Sequence, residues 1–196
     1  MSEPTREVEL KARVDDLDGC RRNVELAGGT LVFEGHLADR LYDTPDRALS
    51  RSDLVLRLRT YTNDAGVVAH LDWKGPTTHE DGFKVRPELT TGVSDGVALA
   101  SMLERIGYGV VREIDRYIVQ YEIVGTGAEG ATIIRFERYP RMDVLVEVEG
   151  SQAGIEAAIQ QLGIPRDEYS AGRLTEFAQK YEARTGLRPA LSTSEL

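Results

Sequence analysis

Glu7-Val8-Glu9-Leu10-Lys11 sets three charged side chains at every second position with apolar residues between them. In an extended strand alternate residues share a face, so Glu7, Glu9 and Lys11 point one way and Val8 and Leu10 the other. Two carboxylates on one strand face are oxygen donors suited to a hard divalent cation. A lysine beside them suits an anion such as phosphate. The alternation returns in Arg57 and Arg59, in Lys84, Arg86 and Glu88, in Arg135 and Glu137, and in Glu147 and Glu149. Lys74 and Arg112 fall on the same charged set. Carboxylates hold Mg²⁺ or Mn²⁺, and ammonium and guanidinium groups hold phosphate oxygens. A triphosphate bridged by metal satisfies both signs at once, and the implied chemistry is phosphoryl or nucleotidyl transfer.

Strands must carry these residues. Strands are expected at residues 6–13, within 30–41, and at 53–61, 67–74, 82–89, 113–124, 132–139 and 144–149, with hairpin turns at Asn63-Asp64-Ala65-Gly66 and around a glycine-rich loop at 125–130. Helices are expected at 15–28, from Ser94 or Asp95 to about Ile106, at 152–162 and at 170–185. This pattern predicts a single-domain α+β protein, an antiparallel eight-stranded β-barrel with flanking helices. Its lumen is charged and its apolar positions face outward under the helices. The domain is placed at residues 1–186, followed by a frayed tail at 187–196.

The bulk composition bounds the function. The chain has 196 residues and a net charge of −9, which argues against a nucleic-acid partner. No apolar stretch is long enough to span a membrane, no signal peptide is visible, and the single Cys20 fits a reducing compartment, so a cytoplasmic protein is expected.

Glu7–Lys11 matches the ExExK signature of the CYTH superfamily, the triphosphate tunnel metalloenzymes, and the chain resembles that family over nearly all of residues 6–185. In order, Leu41-Tyr42-Asp43-Thr44-Pro45 resembles YYDTP, Leu56–Arg59 resembles LRLR, Trp73-Lys74-Gly75-Pro76 resembles WKGP, Lys84–Glu88 resembles KxRxE, and Val146–Gly150 resembles EIEG. The resemblance implies metal ligands at Glu7, Glu9, Glu137, Glu147 and Glu149. It implies a phosphate path along Lys11, Arg57, Arg59, Lys74, Lys84, Arg86 and Arg112, with Glu7, Glu9, Lys11, Lys74 and Glu147 closest to the chemistry. Val110 stands where the family has the lysine of a KxR pair, so one phosphate contact is expected to be lost or supplied by Arg135 or Arg116. Tyr139-Pro140-Arg141-Met142-Asp143 replaces the glycine-rich turn of the cyclases.

The expected activity is divalent-metal-dependent hydrolysis of a triphosphate: inorganic triphosphate, ATP or thiamine triphosphate. One alternative is class IV adenylate cyclase, for which Tyr42, Phe83 or Tyr117 would stack the base. The other is a non-catalytic module that binds triphosphate or polyphosphate. A homodimer is a further expectation from the resemblance.

Overall fold

The computed structural model describes residues 3–124 and 130–196. Its strands are β1 (Thr5–Arg13), β2 (Thr30–Asp43), β3 (Val55–Asn63), β4 (Gly66–Lys74), β5 (Thr78–Glu80), β6 (Phe83–Val93), β7 (Gly109–Val124), β8 (Ala131–Arg138) and β9 (Leu145–Glu149). Its helices are α1 (Leu17–Leu26), α2 (Ala48–Arg51), α3 (Gly96–Arg105), α4 (Gln152–Leu162) and α5 (Leu174–Thr185). The sheet order is β1-β9-β8-β7-β2-β3-β4-β6-β5, and β1 also pairs with β6. That last pairing closes an eight-stranded antiparallel barrel, as the alternation predicts, and leaves the short β5 as an outer flap on β6.

Local chemistry explains the boundaries. Asp16 starts α1 by accepting the Gly19 N–H at 2.9 Å, and Asp95 starts α3 by accepting the Ala98 N–H at 2.9 Å. The β3–β4 hairpin is pinned by the Asn63 side chain, which accepts the Ala65 N–H at 3.0 Å, and by Gly66 at φ +134°. Of the glycine-rich loop expected at 125–130, residues 125–129 lie outside the described residues.

Three apolar clusters hold the barrel. Val8, Leu10, Val119, Ile134, Phe136, Val146 and Val148 face outward from β1, β7, β8 and β9 and pack under α1 and α4. Leu58 and Ala69 pack under α3 with Tyr42 and Leu103. The third cluster lies at one end of the barrel, where Ile114, Tyr139 and Leu145 meet Phe177 of α5 and Leu191.

Two expectations are corrected here. Residues 187–196 do not fray as a whole. Ala190, Leu191 and Ser192 are buried, the Asp115 N–H donates to the Leu191 carbonyl at 2.8 Å, and Ala190 and Arg141 exchange backbone hydrogen bonds. Helix α5 starts at Leu174, not at 170, because Ser170 pairs with Lys11 of β1 through two backbone hydrogen bonds of 2.8 and 2.9 Å.

Candidate functional site

Strand parity brings the charged side chains into the barrel, where they surround a cavity of about 400 Å³. Glu7, Glu9, Lys11, Arg57, Arg59, Lys74, Lys84, Arg86, Arg112, Glu137 and Glu147 all line it. The lumen has two unlike walls.

The first wall is built by β1, β4, β6 and β9. Lys84 and Lys11 donate to one oxygen of Glu9 at 2.6 and 3.0 Å. Lys11 and Arg135 both pair with Glu147, and Lys74 pairs with Glu7. Burial alone would raise the Glu9 pKa, but Lys11, Lys84 and Lys74 outweigh it and hold the carboxyl well below its ordinary range. Lys11 is shifted down, first by burial and then by Lys84, despite Glu9 beside it.

On this wall Glu7, Glu88 and Glu149 each offer an oxygen within 4.8 Å of the others. Glu7 lines the cavity; its Oε2 is buried and has no hydrogen-bond partner among the described residues. Glu149 has a raised pKa, through burial and the nearby charges of Glu7 and Glu9, against the pull of Arg135 and Lys74. Three carboxylates with an orphaned buried oxygen form a hard-oxygen donor set that fits a divalent cation. Glu88 also stands 3.4 Å from Lys74 and 3.5 Å from Arg57.

The second wall is built by β2, β3, β7 and β8, and Asp39, Arg59, Arg116 and Glu137 form a matched network on it. Asp39 receives both Arg59 Nε and Nη2, at 2.8 and 2.9 Å, and Arg116 Nη1 at 3.1 Å. Arg116 Nε donates to Glu137 at 2.7 Å, and the Tyr139 hydroxyl donates to the other Glu137 oxygen at 2.6 Å. Burial would raise the Glu137 pKa; Arg116, Lys11 and Arg135 outweigh it and bring it down to about 2. Asp39 is held well below its ordinary value, burial again being outweighed by Arg59, Arg116 and Arg57.

The placement differs in detail from the sequence expectation. Glu7 and Glu149 share a cluster with Glu88, whereas Glu9 and Glu147 sit against Lys11, and Glu137 lies on the other wall against Arg116. Arg86 lines the cavity but gives its guanidinium to the carbonyls of Gly75 and Asp53, both at 2.7 Å. Arg112 lines the cavity with no ion pair among the described residues, and burial lowers its pKa. Val110 is not among the lining residues. A register shift opposite Leu41 and Tyr42 inserts one residue into β7, so Val111 and Arg112 line the cavity and Val110 lies beside the outward-facing Tyr42.

The aromatic residues expected to stack a base are also outside. Tyr42 and Phe83 are buried in the outer clusters, and Tyr117 packs against one of them. Tyr139 is the single aromatic among the lining residues, and it is spent on Glu137.

Sequence reading missed Asp39 and Asp72. Both face an arginine directly across a strand pair, Asp39 opposite Arg59 and Asp72 opposite Arg57, and cross-strand pairing was the signal that could have found them.

The family described as CYTH domain matches residues 5–169. Among solved structures, a candidate adenylate cyclase from Vibrio parahaemolyticus superposes with a TM-score of 0.74 at 23% identity, covering 90% of this chain and 99% of that one. The PH1819 protein of Pyrococcus horikoshii gives 0.69 at 21%, covering 89% and 98%. A candidate adenylyl cyclase from Hippeastrum, described as having a dominant triphosphatase activity, gives 0.62 at 16%, covering 92% and 96%. These likenesses establish the fold. No curated protein matches. No helix among the described residues is long and apolar enough to cross a membrane.

Proposed function

This chain belongs to the CYTH family, and from that premise we propose that it is a divalent-metal-dependent triphosphatase, hydrolysing inorganic or organic triphosphates within its lumen. The observation that carries the reading is that the Glu7 carboxylate, whose Oε2 is buried with no hydrogen-bond partner among the described residues, clusters with Glu88 and Glu149 in a lumen otherwise rich in lysine and arginine. Glu7, Glu88 and Glu149 would hold Mg²⁺ or Mn²⁺. A bound divalent cation polarises a phosphoryl oxygen and lowers the pKa of water.

The lysines carry the anion. Lys11, Lys74 and Lys84 are now paired with Glu147, Glu7 and Glu9. An ammonium has three N–H donors, so each lysine can take a phosphate oxygen while Glu9 and Glu147 keep a basic partner, and the cation compensates Glu7, so no buried charge is stranded. Arg57 and Arg112 extend the contacts along the chain of phosphates. Water attacks the terminal phosphorus, the bridging P–O bond breaks, and inorganic triphosphate yields orthophosphate and pyrophosphate. The Asp39–Arg59–Arg116–Glu137 network keeps the barrel rigid while the first wall exchanges partners.

Class IV adenylate cyclase is the second reading, favoured by the likeness to the Vibrio parahaemolyticus protein. It requires the ribose 3′-hydroxyl at the α-phosphorus and a base pocket, and the lining offers only Tyr139 as an aromatic. Incubation of purified protein with inorganic triphosphate, thiamine triphosphate or ATP, each with Mg²⁺ or Mn²⁺, separates the two. Ion-exchange chromatography is expected to show phosphate release that stops with chelator. Cyclic AMP and pyrophosphate from ATP would establish the cyclase instead.

A further inference from the structure

Four segments outside the barrel strands also line the cavity and form its rim. They contribute Arg47 before α2, Asp53 between α2 and β3, Thr77 between β4 and β5, and Arg173 before α5. Arg173 is delivered there by a short ordered strap. Ser170 is tied to Lys11 by two backbone hydrogen bonds, its Oγ accepts the Gly172 N–H at 3.0 Å, and Glu176 accepts the Arg173 N–H at 2.9 Å. The guanidinium faces the rim, where its one hydrogen bond among the described residues is from Nη2 to Asp53 Oδ1 at 2.9 Å.

Asp53 is held in turn. Its backbone has φ +53°, a left-handed conformation that costs a non-glycine residue. Its Oδ2 accepts the Thr77 N–H at 2.6 Å, and its carbonyl accepts Arg86 at 2.7 Å. One aspartate therefore joins three rim segments and offers its remaining carboxylate oxygen to Arg173. That ion pair is open to water, with side-chain exposures of 60% for Arg173 and 34% for Asp53. It contrasts with the sealed, two-pronged Arg59–Asp39 pair on the second wall. An exposed single contact exchanges at little cost.

We infer that Arg173 is a specificity-determining residue that leaves Asp53 to bind the rim end of the substrate, favouring an unesterified terminal phosphate over a nucleoside or other organic ester. This rests on the lumen being a triphosphate site. Arg86, whose guanidinium binds the Asp53 carbonyl, stands opposite Glu7 in the β1–β6 pairing, so the rim adjoins the proposed cation position, and the end of the substrate that reaches it carries either a free phosphate or the organic group. A free terminal phosphate presents more charge and more unshared oxygens to a guanidinium than an esterified one. Arg47 adds a second cation to the same rim, and no aromatic side chain of the rim offers an organic ring a stacking face.

The test compares kcat/KM for inorganic triphosphate and for ATP with Mg²⁺, ATP being read as a competitive inhibitor where it is not turned over. Arg173→Ala is expected to raise KM for inorganic triphosphate roughly tenfold and to change the ATP value less than about twofold. Arg173→Lys should recover part of the loss. Asp53→Asn keeps the Thr77 acceptor and tolerates the left-handed backbone, and it should lower KM for inorganic triphosphate by freeing Arg173. Equal effects on both substrates, no effect on either, or parent protein active on ATP alone would overturn the inference and leave the triphosphatase reading standing. A parent that neither binds nor hydrolyses any triphosphate overturns both.

Discussion

The two walls of the lumen contain the same kinds of side chain and treat them oppositely. On the β2–β3–β7–β8 wall, Asp39, Arg59, Arg116, Glu137 and Tyr139 satisfy one another with two-pronged and short bonds. On the β1–β4–β6–β9 wall, Glu7 keeps a buried oxygen without a partner among the described residues, and Glu149 is crowded by Glu7 and Glu9. A buried network that is complete adds rigidity, whereas an incomplete one carries a desolvation cost that a ligand can relieve. The difference separates scaffold from site where residue type alone does not. It also implies that the first wall trades stability for binding, as functional sites do.

Substitutions can break that comparison, and the largest expected effect is on activity. Glu7→Gln should lower kcat about 100-fold or more, because it removes a ligand charge at constant volume. The same change should alter unfolding free energy by about 1 kcal/mol, since one Glu7 oxygen has no partner among the described residues and Glu88, 3.4 Å from Lys74, still neutralises that ammonium. Steady-state kinetics and urea denaturation on one preparation read both numbers. Asp39→Asn should do the reverse. Breaking a buried pair that neutralises Arg59 and Arg116 should cost about 3 kcal/mol of stability. If Asp39→Asn proves as stable as the parent, the second wall is not the scaffold.

The pH response sharpens the contrast. Glu137 is ionised in the folded state down to about 2, against an ordinary value of 4.5. Its contribution to stability is therefore present above pH 4.5 and lost as pH falls toward 2. Glu137→Gln should flatten the urea midpoint's dependence on pH in that window. Glu149 behaves oppositely, because its pKa is raised and cation binding favours the ionised carboxylate. Mg²⁺ titrations in buffers of different ionisation heat should show proton release that declines as pH rises, and no such release after Glu149→Gln. This is the smallest of the expected signals.

Much of this arrangement was legible in the sequence because strands have a period of two and the charged residues keep it. Glu7-Val8-Glu9-Leu10-Lys11 and Lys84-Val85-Arg86 needed only strand parity to be placed in the lumen. Asp39 was not legible, since its own face of β2 carries Leu37 and Leu41 on either side and reads as mixed. Val110 was misplaced because one inserted residue in β7 reverses parity, and a bulge has no reliable sequence signature. The packed end of the chain was hidden for another reason. Ala190 and Leu191 are buried by contacts with β7 and α5, which local sequence does not encode. Arg173 was not singled out in the sequence, because only the strap at Ser170 places it beside Asp53.

The most direct measurement is calorimetric titration of inorganic triphosphate into the protein, with and without Mn²⁺, in the parent and in Glu7→Gln. The account predicts that metal and triphosphate bind together, each strengthening the other, and that Glu7→Gln abolishes the metal dependence while retaining a weaker anion site at the lysines. Triphosphate binding of equal strength with and without Mn²⁺ in the parent would contradict it, because the carboxylates of the first wall would then hold no cation.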